Sequence, residues 1–258
     1  SALWRKDLCG DDLDALDAPH PVYLYGYGSY GTCLDPSFSY GVLTLVDRGM
    51  IYVIAHIRGG GEMGRHWYEE QGKYLTKKNT FTDFCDVAED LVDNKRWTTG
   101  QQMATEGRSA GGLLMGNILN MRPDLFRVAV AGVPFVDLMV TMCDPSIPLT
   151  VGEYEEWGNP NDPKFFAYMH SYDPMRQLQT KKRAYPAVLA TCGFHDPRVP
   201  YWEPAKWIAR LREQNTSLHP ILLRTNMDCG HFSASDRYTH LKEKAFDYTF
   251  VLWQLGLL

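Results

Sequence analysis

The stretch Glu106-Gly107-Arg108-Ser109-Ala110-Gly111-Gly112 constrains this chain more than any other. It follows a short apolar run at 102–105 and precedes residues 113–121, which read as a helix. A G-x-S-x-G pattern between a strand and a helix marks a nucleophile elbow. The tight turn holds the serine in a strained backbone conformation, while the flanking glycines let strand and helix pass closely. The hydroxyl then stands clear at the top of a sheet, with a helix N-terminus behind it to stabilise developing negative charge. The same pattern also occurs in ordinary glycine-rich connections, so its surroundings decide.

Those surroundings alternate strand and helix signals. Apolar runs at 22–25, 50–57, 128–132, 187–191 and 221–224 read as strands, the run at 50–57 as one buried on both faces. A helix is expected over 37–47, with Phe38, Val42, Leu45 and Val46 as its stripe and Gly49 as its stop. Thr80 and Asp83 resemble a capping box ahead of a helix whose inner face is Phe81, Phe84, Ala88 and Leu91. Further helices are expected over 203–214 and 237–255, the last with Leu241, Ala245, Tyr248 and Leu252 on one face. Residues 135–180 lose periodicity and read as an insertion over the top of the sheet. This alternation predicts an α/β fold: a mostly parallel, twisted sheet with helices on both faces, of the α/β-hydrolase type. A chain of 258 residues suits one such domain.

Composition removes several classes of function. With 26 basic against 31 acidic residues and no basic run, nucleic-acid binding is not expected. No apolar run approaches the ~18 residues of a membrane span. The six cysteines are scattered, without a C-x-x-C pair or a zinc-ligand cluster, so no metal site is expected. Free thiols in a reducing cytoplasm are the expectation.

A serine hydroxyl needs a base, and the base needs a carboxylate to orient it. In an α/β-hydrolase the chain order is serine, acid, histidine. That leaves His170, His195, His219, His231 and His240. His231 follows Gly230 a few residues beyond the last strand, where a loop can place an imidazole over the elbow. His219 precedes that strand, His240 lies in the closing helix, His170 in the insertion, and His195 beside an acid candidate. Two aspartates follow strands, Asp137 and Asp196, and either could orient the imidazole; position favours Asp196. For the oxyanion hole, one donor is expected from the backbone of Ala110. The second is expected from the turn Tyr25-Gly26-Tyr27-Gly28, where a tyrosine hydroxyl could replace a backbone donor.

Taken together, Tyr25-Gly-Tyr-Gly-Ser-Tyr-Gly31, Arg58-Gly-Gly-Gly-Glu62, Gly107-Arg-Ser-Ala-Gly-Gly112, Gly152-Glu-Tyr-Glu-Glu-Trp-Gly158, Tyr201-Trp-Glu-Pro-Ala-Lys206 and Asp228-Cys-Gly-His231 are specific. They resemble the prolyl oligopeptidase family of serine peptidases, within it the oligopeptidase B branch, from about residue 23 to the C-terminus. The resemblance implies a triad of Ser109, Asp196 and His231, which decides between the two aspartates, and Tyr27 as oxyanion donor beside Ala110. It implies cleavage of short peptides after arginine or lysine, with Glu153 and Glu155 holding the basic side chain. Two carboxylates can share a guanidinium through charge-assisted hydrogen bonds, and a spacing of two puts both on one side of an extended segment. It further implies that Arg198 binds a substrate carbonyl and that Asp35 serves the next subsite; Ser37 stands where the family has a second acid there. No cofactor is implied. Full-length members carry an N-terminal β-propeller that admits only short peptides. The chain is therefore expected to be a catalytic domain taken from a longer protein, without the propeller or the first strands of the sheet. Post-proline peptidase or carboxylesterase activity on the same scaffold, or a non-catalytic binding role, are the competing expectations.

Overall fold

A computed structural model describes residues 1–178, 182–232 and 237–258. The strands are β1 (Ala2–Leu3), β2 (Val22–Tyr25), β3 (Ile51–Ile54), β4 (Met103–Arg108), β5 (Val128–Gly132), β6 (Ala187–Gly193) and β7 (Ile221–Asn226), in the order β1-β3-β2-β4-β5-β6-β7. Among the described residues only β1, on the edge, is antiparallel, and the other strand pairings are parallel. The order reverses between β2 and β4, which makes the carboxyl end of that pair the place where an open α/β sheet offers a crevice.

Alternation along the strands divides their side chains between two cores. Val22, Leu24, Ala129, Ala131, Val188 and Ala190 enter the larger one. There they meet Phe81, Phe84 and Ala88 of the helix Lys78–Glu89, the elbow helix Ala110–Met121, and Trp207, Ile208 and Leu211 of the helix Trp202–Gln214. Tyr23, Val128, Val130, Ala187 and Leu189 face the other way, onto Leu45 of Tyr40–Val46 and onto Tyr248, Val251 and Leu252 of the closing helix Arg237–Leu255. Residues 110–120 of the elbow helix are all buried, so the serine sits at the head of a firmly packed element.

Four local expectations are corrected. The strand expected over 50–57 is regular only over Ile51–Ile54, and Tyr52 and Ile54 are half-buried, because its outer neighbour is the two-residue β1. The helix expected from residue 37 starts at Tyr40 with Ser39 as its cap, and Phe38 is exposed. Thr80 and Asp83 do not cap a helix, since both lie inside Lys78–Glu89. They clamp a turn instead: Thr80 Oγ1 donates to the Arg58 carbonyl at 2.7 Å, and Asp83 accepts from Arg58 N and Nε at 2.9 and 2.8 Å. On the closing helix Leu241 and Ala245 are exposed, and the inner face is Asp247, Tyr248, Val251 and Leu252. Its first turns are polar inside, because Lys244 reaches Glu106 at 2.7 and 2.9 Å and Glu243 accepts from Asn226 at 2.9 Å.

The segment expected as an insertion folds into short helices, Leu138–Met142, Tyr154–Trp157, Pro163–His170 and Pro174–Gln177; residues 179 and 180 of it lie outside the described residues. No helix among the described residues is long and apolar enough to cross a membrane.

Candidate active site

Ser109 stands at φ 56°, ψ −117°, between β4 and the elbow helix. This is a left-handed conformation that side chains rarely adopt. The surrounding backbone holds it there: Ser109 N donates to Gly132 O at 2.9 Å and Phe135 N donates to Ser109 O at 3.1 Å. A Cβ at Gly107 would lie 2.1 Å from the carbonyl oxygen of Gly111, so strand and helix can turn this sharply only around a glycine.

His231 arrives on the loop after β7, and Asp196 on the loop after β6. The imidazole Nε2 is 3.0 Å from Ser109 Oγ, and its Nδ1 is 2.7 Å from Asp196 Oδ2. The carboxylate's other oxygen accepts the backbone N–H groups of Arg198 and Val199 at 2.8 and 2.9 Å, which fixes its plane. Both side chains of the pair are buried. With the carboxylate accepting at Nδ1, Nε2 is left to accept the serine proton. The two loops touch where His195 N donates to Cys229 O at 3.0 Å. At Gly193 the approach is closer still: a Cβ there would come within 2.2 Å of Gly230 O.

The other candidates fall elsewhere. Asp137 is buried and pairs with Lys206. His219 lies at the start of β7 against Arg127, at 2.7 Å, and burial followed by that cation lowers its pKa. His195 packs against Phe194.

A cavity of about 310 Å³ opens beside Ser109, with Ala110, Tyr27, Tyr30, Glu153 and Arg198 on its walls and Phe135, Met142, Ile147 and Leu149 supplying apolar surface. Burial, reinforced by Glu156, Tyr25 and Glu153, pushes the Tyr27 phenol up to about 12. It therefore keeps its proton at neutral pH and has a hydrogen to donate. The Arg198 guanidinium lies 5.0 Å from the Phe232 ring.

The two glutamates do not meet in this cavity. Glu153 has helical backbone angles and Tyr154–Trp157 is a turn of helix, so side chains two apart diverge instead of sharing a side. Glu153 Oε2 accepts from Tyr30 Oη at 2.7 Å and Trp157 Nε1 at 2.9 Å on the cavity wall. Glu155 turns away and accepts from Tyr74 Oη at 3.1 Å. Asp35 is exposed and lines a separate cavity of about 430 Å³ with Glu106, Arg108 and Lys244.

Two buried carboxylates behind these walls lie inside motifs quoted above, but nothing in the sequence signalled what either one does. Glu156 is 2% exposed and bonds Tyr30 N, Tyr68 Oη and Lys77. In the sequence it is one more member of an acidic run. Glu203, from the Tyr201–Lys206 motif, is fully buried; it accepts Val136 N and Asp137 N at 2.9 and 3.1 Å and the Thr141 hydroxyl, so it holds the loop that walls the cavity. Burial pushes its carboxyl up from 4.5 to about 7, against the pull of those donors. A carboxyl raised in the folded state contributes stability that is complete below pH 4.5 and lost as pH rises through about 7. Glu203→Gln is therefore expected to remove part of the fall in melting temperature across that window, and an unchanged slope would count against the assignment.

Among the described residues no three His, Cys, Asp or Glu side chains are grouped so as to hold a metal ion. A mostly parallel sheet carrying a serine on a strand–helix elbow, with a histidine and an aspartate delivered by later loops, is the α/β-hydrolase fold. The chain belongs to the prolyl oligopeptidase family, which matches residues 36–257. It is similar over 99% of its length to oligopeptidase B from Leishmania major, at 58% identity and a TM-score of 0.94, and covers 34% of that chain. Against oligopeptidase B from Trypanosoma brucei with covalently bound antipain, in a closed form, the identity is 60% and the TM-score 0.90, over 93% of this chain and 34% of that one. Among curated relatives, Protease 2 of Moraxella lacunata is 50% identical over 94% of the chain and 35% of its own length. Dipeptidyl aminopeptidase BI of Pseudoxanthomonas mexicana is 48% identical over 99% and 34%. The chain thus spans about a third of the length of these relatives.

Proposed function

We propose that the chain is the catalytic part of a serine oligopeptidase that cleaves short peptides on the carboxyl side of arginine or lysine. The observation that carries this reading is the line Ser109–His231–Asp196 beside a cavity with Glu153 on its wall. His231 takes the proton of Ser109 as the hydroxyl oxygen bonds to the scissile carbonyl carbon. The negative charge on the carbonyl oxygen is met by Ala110 N–H and the Tyr27 hydroxyl, and Asp196 steadies the imidazolium. As the C–N bond breaks, His231 returns the proton to the leaving amine. Water, deprotonated by the same histidine, then releases the acyl group and regenerates the serine.

Glu153 receives the substrate cation at the cavity wall, and Arg198 is placed to bind a substrate carbonyl. Glu155 joins Glu153 only after leaving Tyr74, and Asp35 serves the substrate only from outside this cavity. Similarity of 58–60% to two oligopeptidase B structures supports the basic preference. In the whole protein, an N-terminal β-propeller over the sheet's carboxyl end would restrict substrates to short peptides. Six free cysteines support a reducing, cytoplasmic setting.

A second reading, cleavage after proline, is favoured by one feature: part of the cavity wall is an apolar patch made by Phe135, Met142, Ile147 and Leu149. A fluorogenic panel with arginine, lysine, proline or alanine before the reporter separates the two, run on the full-length protein and on this chain. The expected order places arginine and lysine far ahead in the full-length protein. Preference for proline would replace the first reading by the second, and fast turnover of simple acyl esters with indifference to all four would indicate a carboxylesterase.

A further inference from the structure

Beneath the cavity lies an ion pair that the chemistry above does not use. Lys77 is 1% exposed, and its Nζ donates to Gly28 O at 2.6 Å and Ser29 Oγ at 2.8 Å. It stands 3.5 Å from Glu156 Oε1, with the ring of Trp157 4.9 Å away. Glu156 in turn accepts Tyr30 N at 3.1 Å and Tyr68 Oη at 2.6 Å. Three successive residues of the glycine turn, Gly28, Ser29 and Tyr30, are thereby tied to one cation and one carboxylate. Tyr27 immediately precedes them. From the other end, Tyr30 Oη and Trp157 Nε1 both donate to Glu153.

We propose that the Lys77–Glu156 pair is a positioning device that holds Tyr27 and Glu153 as one unit, so that the oxyanion donor and the substrate-binding carboxylate keep a fixed relation to each other. This rests on the roles of Tyr27 and Glu153 proposed above. Two physical points favour it over a purely stabilising role. A buried ion pair is weak evidence for stability, because taking both charges out of water offsets most of their attraction; its best-attested use is to specify one arrangement among several. The partners of Lys77 Nζ also belong either to the turn behind Tyr27 or to the helix behind Glu153. An apolar side chain there would fill the space but would not hold the Gly28 carbonyl.

The test uses the full-length protein with the pair neutralised, Lys77→Met with Glu156→Gln, which leaves no unpaired buried charge and keeps an acceptor for Tyr30 N. Lys77→Leu with Glu156→Gln, which again leaves no unpaired buried charge, is the second arm should the first double variant fold poorly. The double variant is expected to melt within a few degrees of the parent while kcat falls about tenfold on both arginine and alanine substrates, and the arginine-over-alanine ratio of kcat/KM falls about tenfold further. In a Tyr27→Phe background the kcat loss should disappear, and in a Glu153→Gln background the loss of preference should disappear, since coupled residues are not additive. Losses that multiply with those of Tyr27→Phe and Glu153→Gln would overturn the proposal, as would parental kcat and preference in the neutralised variant. A Tyr27→Phe change that leaves kcat untouched would instead sink the donor role, and the coupling with it; a costly Tyr27→Phe beside a silent neutralised pair would sink the coupling alone.

Discussion

Ser109→Ala is expected to lower kcat on the best arginine substrate by about 10⁶-fold, the scale on which loss of a triad serine acts. The fold should persist, because the elbow is built from backbone hydrogen bonds and from glycine at 107, none of which involves the hydroxyl. Stability offers a second reading of the same residue. At φ 56° both serine and alanine are strained, whereas glycine is not, so Ser109→Gly should melt above Ser109→Ala by an amount corresponding to roughly 1 kcal/mol or more. Measuring both variants by single-turnover kinetics and thermal melting separates chemistry from architecture. Turnover within a hundredfold of wild type in Ser109→Ala would mean that another group is the nucleophile.

The second large effect concerns the cavity wall. Glu153→Gln should reduce kcat/KM for arginine substrates by about 100-fold, equivalent to roughly 3 kcal/mol, the loss expected when one member of a desolvated charge pair is removed. The alanine substrate should lose no more than a few-fold, since it leaves no cation facing an uncharged amide. Glu155→Gln should cost arginine substrates less than Glu153→Gln, because Glu155 is engaged by Tyr74 and must turn before it can contribute. Equal losses for the two single variants would show that substrate draws both carboxylates in with equal ease. Equal losses on arginine and alanine would reject the acidic wall as the source of specificity.

Why some of this could be read from sequence and some could not follows from the range of the interactions. The elbow is local: glycines and a serine within a few residues determine strand, turn and helix, and the buried apolar runs at 128–132 and 187–191 gave β5 and β6 nearly to the residue. His231 and Asp196 were accessible to reasoning because an α/β sheet puts its polar loops at one end, leaving few residues in the right place. Periodicity erred where polar residues sit inside. Thr80 and Asp83 have the spacing of a cap, yet they serve the Arg58 turn, a partner more than twenty residues away that no local pattern contains. The two-residue spacing of Glu153 and Glu155 suits an extended segment, and one turn of helix separates them. Lys77 and Glu156 are 79 positions apart and join only once the turn after β2 has folded between them. Their charges, read along the chain, look like any other solvated lysine and glutamate.

The near-contact of Gly193 with Gly230 has one further implication. There the strand leading to the acid and the loop bearing the imidazole rest main chain on main chain, with no room for even a methyl group on Gly193. On the Gly193 side the distance between base and acid is thus set by the thickness of the polypeptide itself, and any side chain added there must push the imidazole loop outward as a whole. Gly230, on the facing loop, does have space for a methyl group, so the two sides of one seam differ in how finely the pair can be retuned.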